Sequence, residues 1–568
     1  MIRNYTKMNY KKPDLEHIHP NPTMQRADWE SLNGKWTFEF LEGKGLPRDK
    51  TTINVPFSYE TKASGIGNEK VATKVRYSRI FDVKRVDSSV LLHFAAVDYR
   101  CEVWVNDVYA GGHVGGYTAF CLDITRLVAV GQNRLVVVAY DSLSKAQLRG
   151  KQRARTESYE CWYVQTTGIW KDVWLEYAGK NYIESVEITP HTDGNVDFCL
   201  RTSMQSGNVS AVVSLDGKTV ANGSAVAHNG EASFSVNVGT PALWSADSPK
   251  LYGVRLTSDD DVVDSYFGVR TIATDSGKVT INGVPTYLRM VLEQGYWYET
   301  GLTAPSAADL WKEAELIKRL GFNGVRMHQK TESALFYYFC DLLGLYVWGE
   351  IPSNYEYSDE AQAEMMRDCP QIIRQLSPHP SIIAWVIFNE SWGIPRVKND
   401  IGTQRYVEAV CNAVRAADNT RLVIGNDGWH QLDGDLLTLH EYNQNADCLA
   451  ADYSNKEIVV GNKLVINTYG YAYADGYEYR GQPVLLSEFG GIAINESEGW
   501  GYGAKAEDKD AFFKRFVDIM AAVGKLDYLA GYCYTQLTDV QQETNGLCYV
   551  DRTPKVDEKK IRHIICGK

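Results

Sequence analysis

Ile382-Ile383-Ala384-Trp385-Val386-Ile387-Phe388-Asn389-Glu390 is apolar without a break from Ile382 to Phe388, then ends on an amide and a carboxylate. Pro483-Val484-Leu485-Leu486-Ser487-Glu488-Phe489-Gly490-Gly491 has the same build, with Glu488 near its end. Such near-continuous apolar runs read as strands buried on both faces, the habit of parallel sheets. A carboxylate at the C-terminal end of such a strand lies on the face where barrel enzymes hold their chemistry. Two of them, from different strands, form the pair that a double displacement at a sugar's anomeric carbon needs. One protonates the leaving oxygen and the other attacks carbon, across a gap of about 5 Å. Strand-ending carboxylates that cap loops or pair with arginines would explain either Glu alone; they explain the two together, with their flanks, much less well.

The pattern extends outward from these two strands. Further apolar strand candidates are residues 286–290, 322–326, 345–350, 422–425, 436–440 and 529–534. Helical stretches lie between them. Ser306-Ala307-Ala308-Asp309 resembles a capping-box start, Leu310, Ala314, Ile317 and Leu320 form a helical stripe, and Gly321 supplies a stop. Strands alternating with helices in this way predict a (β/α)8 TIM barrel over residues 275–568. Residues 1–179 are β-rich instead. Stretches 35–40 and 103–108 alternate, 135–140 reads as a buried strand, and Gly111-Gly112 and Gly115-Gly116 read as turns. An antiparallel β-sandwich is expected there. Residues 180–274 carry strands at short spacing, among them 186–190, 211–215 running into Asp216-Gly217, and 234–238. They read as an immunoglobulin-like β-sandwich without the Cys…Trp…Cys core of antibody domains.

The 568 residues are 44% hydrophobic and 23% charged, the composition of a soluble globular protein with several cores. The net charge of −12 argues against a nucleic-acid partner. No stretch approaches the roughly 20 apolar residues of a membrane span, and residues 1–10 lack the apolar core of a signal peptide. The eleven Cys are scattered without a Cys-x-x-Cys pair, and Cys340 and Cys533 lie inside apolar runs. That usage fits reduced, packed thiols in a cytoplasmic protein.

The strand ends of the expected barrel collect Arg289, Arg326, His328, Glu350, Asn389, Glu390, His440, Tyr442, Glu488 and Gln536. An oxocarbenium-like transition state wants such types: carboxylates near the anomeric centre and hydrogen-bond donors to ring hydroxyls. Trp297, Trp348, Trp392, Trp429 and Trp500 fall near loops after strands, each a packing residue or a platform for a sugar face. Arg326 would hold an attacking carboxylate as an anion, or tie two strands together. Asn389 would bond a sugar 2-hydroxyl, or cap a loop. Other chemistries find less support. His328 and Glu332 lie four apart, but there is no His-Glu-x-x-His and the His residues are dispersed. Gly-x-Ser-x-Gly is absent, and the Gly-rich stretch 111–116 does not join a strand to a helix as a phosphate cradle would.

Taken together these residues resemble glycoside hydrolase family 2, the family of β-galactosidases, β-glucuronidases and β-mannosidases. The resemblance covers almost the whole chain. It is carried by Arg149-Gly150-Lys151-Gln152, Thr167-Gly168-Ile169-Trp170-Lys171-Asp172-Val173-Trp174-Leu175-Glu176, Phe267-Gly268-Val269-Arg270 with Ile281-Asn282-Gly283-Val284-Pro285, Gly321-Phe322-Asn323-Gly324-Val325-Arg326, His379-Pro380-Ser381-Ile382, Phe388-Asn389-Glu390 and Ser487-Glu488-Phe489-Gly490. The resemblance implies a jelly-roll first domain and a retaining mechanism. In it Glu390 is the general acid/base, Glu488 the nucleophile and Asn389 the 2-hydroxyl ligand. Three departures matter. Met327-His328-Gln329-Lys330 replaces the family's Ser-His-Tyr-Pro, displacing the His by one position. The Asn-Arg-His-Glu after the first barrel strand is not reproduced around 289–293, which weakens any magnesium site. Asn545-Gly546-Leu547 has Leu where the Asn-x-Lys of β-glucuronidases has Lys.

The expectation is therefore an exo-acting, retaining β-glycosidase acting on an oligosaccharide or glycoside, β-galactosidase-like, with a neutral sugar favoured by Leu547. β-Glucuronidase, β-galacturonidase and arabinosidase are the alternatives, with Arg289, Arg326 or Lys330 as other carboxylate ligands. A carbohydrate-binding protein on a hydrolase scaffold is the non-enzyme alternative. Substrate contacts are expected from Asn389, Arg326, His328, His440, Tyr442, Trp429 and Gln536. No cofactor or metal is assigned, no nucleic acid or membrane partner is expected, and a homo-oligomer is compatible with the reading.

Overall fold

The computed structural model describes residues 12–496 and 498–567; the N-terminal stretch 1–10 discussed above lies outside them. The chain builds two β domains and a barrel. The first domain packs a six-stranded sheet against a four-stranded one, with antiparallel pairing throughout. Strand Gly34–Glu42 shows the reason: Trp36, Phe38 and Phe40 alternate into the core between the sheets. Two local expectations fail here. Residues 103–108 are not one strand, because Asn106 and Asp107 take φ of 50° and 65° and turn Arg100–Val105 into Val108–Val114. Gly111 and Gly112 are not a turn but part of Val108–Val114. A Cβ on Gly111 would meet a Leu122 methyl at 2.7 Å, and one on Gly112 the Cys101 carbonyl oxygen at 2.7 Å. Close approach, not chain reversal, requires glycine there.

The second domain has seven antiparallel strands, from Ile183–Pro190 to Asp261–Phe267. Lys218–His228 and Glu231–Asn237 pair only at His228–Glu231. The sheet therefore folds into three strands facing four, with Phe198, Leu200, Val213, Val254 and Leu256 between them, as an immunoglobulin-like sandwich requires. The Asp216-Gly217 hairpin falls where its sequence places it, both residues at positive φ.

All eight expected barrel strands form: Leu288–Glu293, Gly324–Met327, Tyr346–Glu350, Ile382–Asn389, Leu422–Asp427, Leu437–Glu441, Val484–Phe489 and Leu529–Tyr534. Each pairs in parallel with its neighbours, the eighth with the first, and a bridge between Gly428 and Leu439 closes the ring. Leu288, Met290, Trp348, Ala384, Val386, Ile424, Leu485 and Cys533 fill the interior. Val279 and Ile281, from a short hairpin ahead of the barrel, join the same cluster and plug its N-terminal end. The first helix, Ala307–Leu320, begins as expected: Ser306 Oγ accepts from the Asp309 amide, and Gly321 ends it at φ 102°. Among the described residues no helix is long and apolar enough to cross a membrane, and all eleven Cys are free thiols.

Candidate active site

The C-terminal rim of the barrel is polar because the strands end in polar residues, and closure brings those ends together. Asn389 lies in register with Asp427, and His440 with Glu488. A register shift between Leu439 and His440 sits directly beside the site, where such irregularities re-aim side chains. Glu390 and Ser391 follow their strand at φ 51° and 62°, a conformation non-glycine residues adopt at a cost and that recurs at functional sites. The Glu390 amide donates to the Asp427 carbonyl at 2.8 Å, which fixes the turn.

One carboxylate oxygen of Glu390, one of Glu488 and a ring nitrogen of His440 lie within 4.8 Å of one another. Glu488 accepts from Arg326 Nη1 at 3.0 Å and from the Tyr442 hydroxyl at 2.5 Å. Arg326, fully buried, also donates through Nε to Glu350 at 2.7 Å and through Nη2 to Asn389 Oδ1 at 2.8 Å, and it pairs with Asp427. Burial opposes charge on Glu350, yet Arg326 and then His328 outweigh it and hold the carboxyl at about 2. Burial is likewise outweighed at Asp427, where Arg326 and then His440 hold the carboxyl well below the usual range. Glu488 thus receives two donors, which suits an anion poised to attack. Asn389 Nδ2 is buried without a partner, a donor free for a hydroxyl of a bound sugar.

Some expected contacts take other roles. His440 is fully buried and sits between carboxylates. Its Nδ1 meets Glu390 at 2.9 Å and its Nε2 meets Asp427 at 3.1 Å. Burial disfavours the imidazolium, but Glu488 and Asp427 outweigh it and push the ring up to about 10. Because this lies above the unfolded value of about 6.5, the stabilisation is complete below about 6.5. It is lost as pH rises through about 10. We expect the alkaline fall in Tm over that window to be smaller in His440→Gln, measured by calorimetry against pH; parallel curves would show that His440 carries no extra charge in the fold.

His328 is buried against Glu350, its Nδ1 at 3.0 Å. Trp429 packs edge-on to His440 and stacks on exposed Tyr469, ring centroids 4.9 Å apart. Gln536 joins a buried amide network, donating to Asn545 at 2.6 Å and accepting from Gln294 at 2.7 Å. Trp297 lies under Arg552, and Trp348 is in the barrel core. Arg289 is a correction. The first strand, expected at 286–290, begins two residues later and runs three residues further, to Glu293, so Arg289 sits near its N-terminal end, away from the site. Arg326 and Lys330 offer no free charge either, since Lys330 is paired with Glu332 and donates to the Gly295 and Leu302 carbonyls at 2.8 and 2.7 Å.

Sequence reasoning missed Asp427. Its strand was expected to stop at Gly425 and instead continues to Asp427. The signal was there, since Asn426-Asp427 ends an apolar run as Asn389-Glu390 does. It also named no residue of the first domain at the rim. Trp162 from that domain meets Trp392 and Tyr355, with centroids 5.8 and 5.5 Å away, and Tyr163 bonds Glu543. Lys151 reaches the same wall, its Nζ 4.8 Å from the Trp392 ring centre. Tyr502 stacks on Tyr442, ring centroids 3.4 Å apart.

Glu390, His440 and Glu488 carry donor atoms close enough to be read as a cation site. The donors are occupied, however: His440 is engaged through both ring nitrogens and Glu488 through both oxygens. The set fits charge-paired acid and nucleophile better than a metal centre. A separate open cavity of about 760 Å³ lies where the three domains meet, lined by Lys171, Glu187, Arg270, Arg374 and Asp418, and contains none of these residues.

Three family models match the chain. One described as glycosyl hydrolases family 2, TIM barrel domain, covers residues 272–567. The family's sugar binding domain covers 29–178, and a further family 2 domain covers 181–270. A putative β-glucuronidase of Formosa agariphila is 28% identical over 75% of this chain and 48% of its own length. A β-galactosidase of Thermoanaerobacter pseudethanolicus is 27% identical over 64% of this chain and 51% of its own. The chain thus spans about half the length of these curated relatives. Among solved structures, a β-galacturonidase from Eisenbergiella tayi bound to galacturonate superposes with a TM-score of 0.76 at 20% identity, covering 96% of this chain and 98% of that one.

Proposed function

The chain belongs to glycosyl hydrolases family 2, and from that premise we propose that it is a retaining, exo-acting β-glycosidase. The observation that carries this reading is the approach of Glu390 and Glu488, with oxygens within 4.8 Å. That is the separation of about 5 Å used for attack by one carboxylate, rather than the wider gap that admits a water. In the cycle, Glu488 attacks the anomeric carbon while protonated Glu390 gives its proton to the departing oxygen. Glu390 then takes a proton from the water that releases the sugar. Arg326 and Tyr442 aim Glu488 by donating to its two oxygens, and Asn389 Nδ2 stands ready for the sugar's 2-hydroxyl. The loop bearing Trp162 walls one side of the rim, which suits removal of a terminal residue.

Relatives named as β-galactosidases and as a putative β-glucuronidase leave two sugar classes. Leu547 speaks for a neutral sugar. Lys151 at the rim speaks for an acidic one, and we favour the acidic sugar over the β-galactoside expected from Leu547.

The test is a panel of para-nitrophenyl glycosides, neutral and uronic, with the product followed by NMR. The β-anomer of the free sugar should form first. An α-anomer formed first would exclude the retaining cycle, and sugar binding without cleavage of any glycoside would favour a binding protein. Glu390→Ala should lower kcat/KM by about 10²- to 10⁴-fold on substrates with poor leaving groups. It should do so far less on para-nitrophenyl glycosides, which need little protonation. Equal losses on both would remove Glu390 from the acid role.

A further inference from the structure

We propose that Lys151 is the carboxylate-recognising residue of this site, so that the terminal sugar is a β-linked hexuronic acid. The proposal rests on the glycosidase reading above for the position of the sugar, and on the surroundings of Lys151 for its chemistry.

A buried ammonium is costly unless anions or carbonyls surround it. The other buried lysines obey this rule. Lys171 donates to the Thr331 and Glu332 carbonyls at 2.8 and 3.0 Å, and Lys330 is paired with Glu332. Lys555 donates to Asp539 at 2.7 Å and to the Thr544 carbonyl at 3.0 Å. Lys151 is 7% exposed, yet among the described residues no carboxylate lies within 4.0 Å of it. Its neighbours are the Trp392 face and the Cys161 thiol. Burial disfavours its charge, but Cys161, Glu543, Glu488 and Glu390 outweigh that and keep it an ammonium. Both proposed catalytic carboxylates are thus in the field of this one cation, and neither is paired with it.

The lysine is also held in place. The Arg149 and Gly150 amides donate to the Ser353 carbonyl at 2.9 and 3.1 Å, and the Tyr163 amide donates to the Lys151 carbonyl at 2.8 Å. Tyr355 donates to the Gly150 carbonyl. Gly150 stands at φ 57°, where a Cβ would lie 2.0 Å from the Gln329 carbonyl oxygen. The loop is therefore clamped on the barrel and brings its ammonium to the rim in advance. Among the described residues the loop after the eighth strand has no unpaired cation: Leu547 is fully buried, Arg552 is paired with Glu313, and Lys555 with Asp539. A sugar carboxylate would supply the anion that Lys151 lacks.

The experiment compares para-nitrophenyl β-D-glucuronide and β-D-galacturonide with their neutral counterparts, the β-D-glucoside and β-D-galactoside. Wild type should prefer at least one uronide. In Lys151→Met the uronide-to-neutral ratio of kcat/KM should fall about 100-fold, mainly through KM, and Lys151→Arg should keep part of it. A wild type that prefers neutral sugars overturns the proposal, as does an equal loss on both classes, which would place Lys151's effect on the carboxylate pair. A second arm does not depend on turnover. Free D-glucuronate or D-galacturonate is titrated calorimetrically into Glu488→Gln, with and without Lys151→Met. Uronate binding that disappears with the lysine supports the proposal even if no glycoside is cleaved, an outcome that sinks only the hydrolase reading. Binding of neutral sugars but no uronate overturns it.

Discussion

Glu488→Gln should lower kcat by about 10⁴-fold or more while leaving the fold intact. The amide has no charge with which to form the glycosyl–enzyme bond, so the first displacement stops. The side chain keeps its shape, and its oxygen can still accept from Arg326, as Glu488 does at 3.0 Å. The structural cost should be limited to one altered hydrogen bond, about 1 kcal/mol. Chemical rescue sharpens the test. With Glu488→Gly, azide has room to attack the face that the carboxylate vacated, and the product should be the α-glycosyl azide. With Glu390→Ala the glycosyl–enzyme still forms, and azide should give the β-product. A Glu488 variant that retains full activity, or the same azide anomer from both variants, would reverse or remove the assigned roles.

Arg326→Leu should destabilise the protein by about 3–5 kcal/mol, the usual cost of removing one partner from a buried ion cluster. Four groups depend on this guanidinium: Glu350, Asp427, Glu488 and Asn389. Without it Glu350 and Asp427 stand buried with less compensation, and Glu488 loses a donor. Lysine should not rescue the variant, because a point charge cannot serve the four directions of the planar fork. The acid side carries a second signature. The folded pKa of Glu350 is depressed to about 2, so its stabilisation is present above about 4.3 and is lost as pH falls through about 2. In Arg326→Leu that acid-sensitive contribution should shrink. Urea unfolding at neutral pH and Tm in acid check both statements. A variant as stable as wild type would mean that the cluster relaxes by taking up protons or water.

The barrel was legible in the sequence because burial on both faces leaves an uninterrupted apolar run, and a polar rim leaves an abrupt end to it. Glu390 and Glu488 stood out for that reason. Asp427 carried the same mark in Asn426-Asp427, and only its misplaced strand end hid it. Element boundaries depend on the last ladder hydrogen bond, which a neighbouring strand decides; the shift that moved Arg289 away from the site has the same origin. Asn106-Asp107 shows the opposite case, a turn signal overlooked inside an alternating stretch.

Charge pairing was not legible. Arg289, Arg326, Lys330 and Lys151 are equal as letters, and only folding separates them. Arg326 is enclosed by four partners, Lys330 is tied to Glu332, and Arg289 faces away from the rim. His440 was read as a substrate ligand because it ends a strand, yet register with Glu488 buries it among carboxylates. The sequence by itself determined that eight barrel strands exist and that Glu390 and Glu488 stand at the ends of two of them, because periodicity is a local property. The tertiary structure alone decided which cation stays unpaired at the rim, because pairing depends on groups far apart in the chain. Lys151 meets Trp392 only when the first domain docks on the barrel.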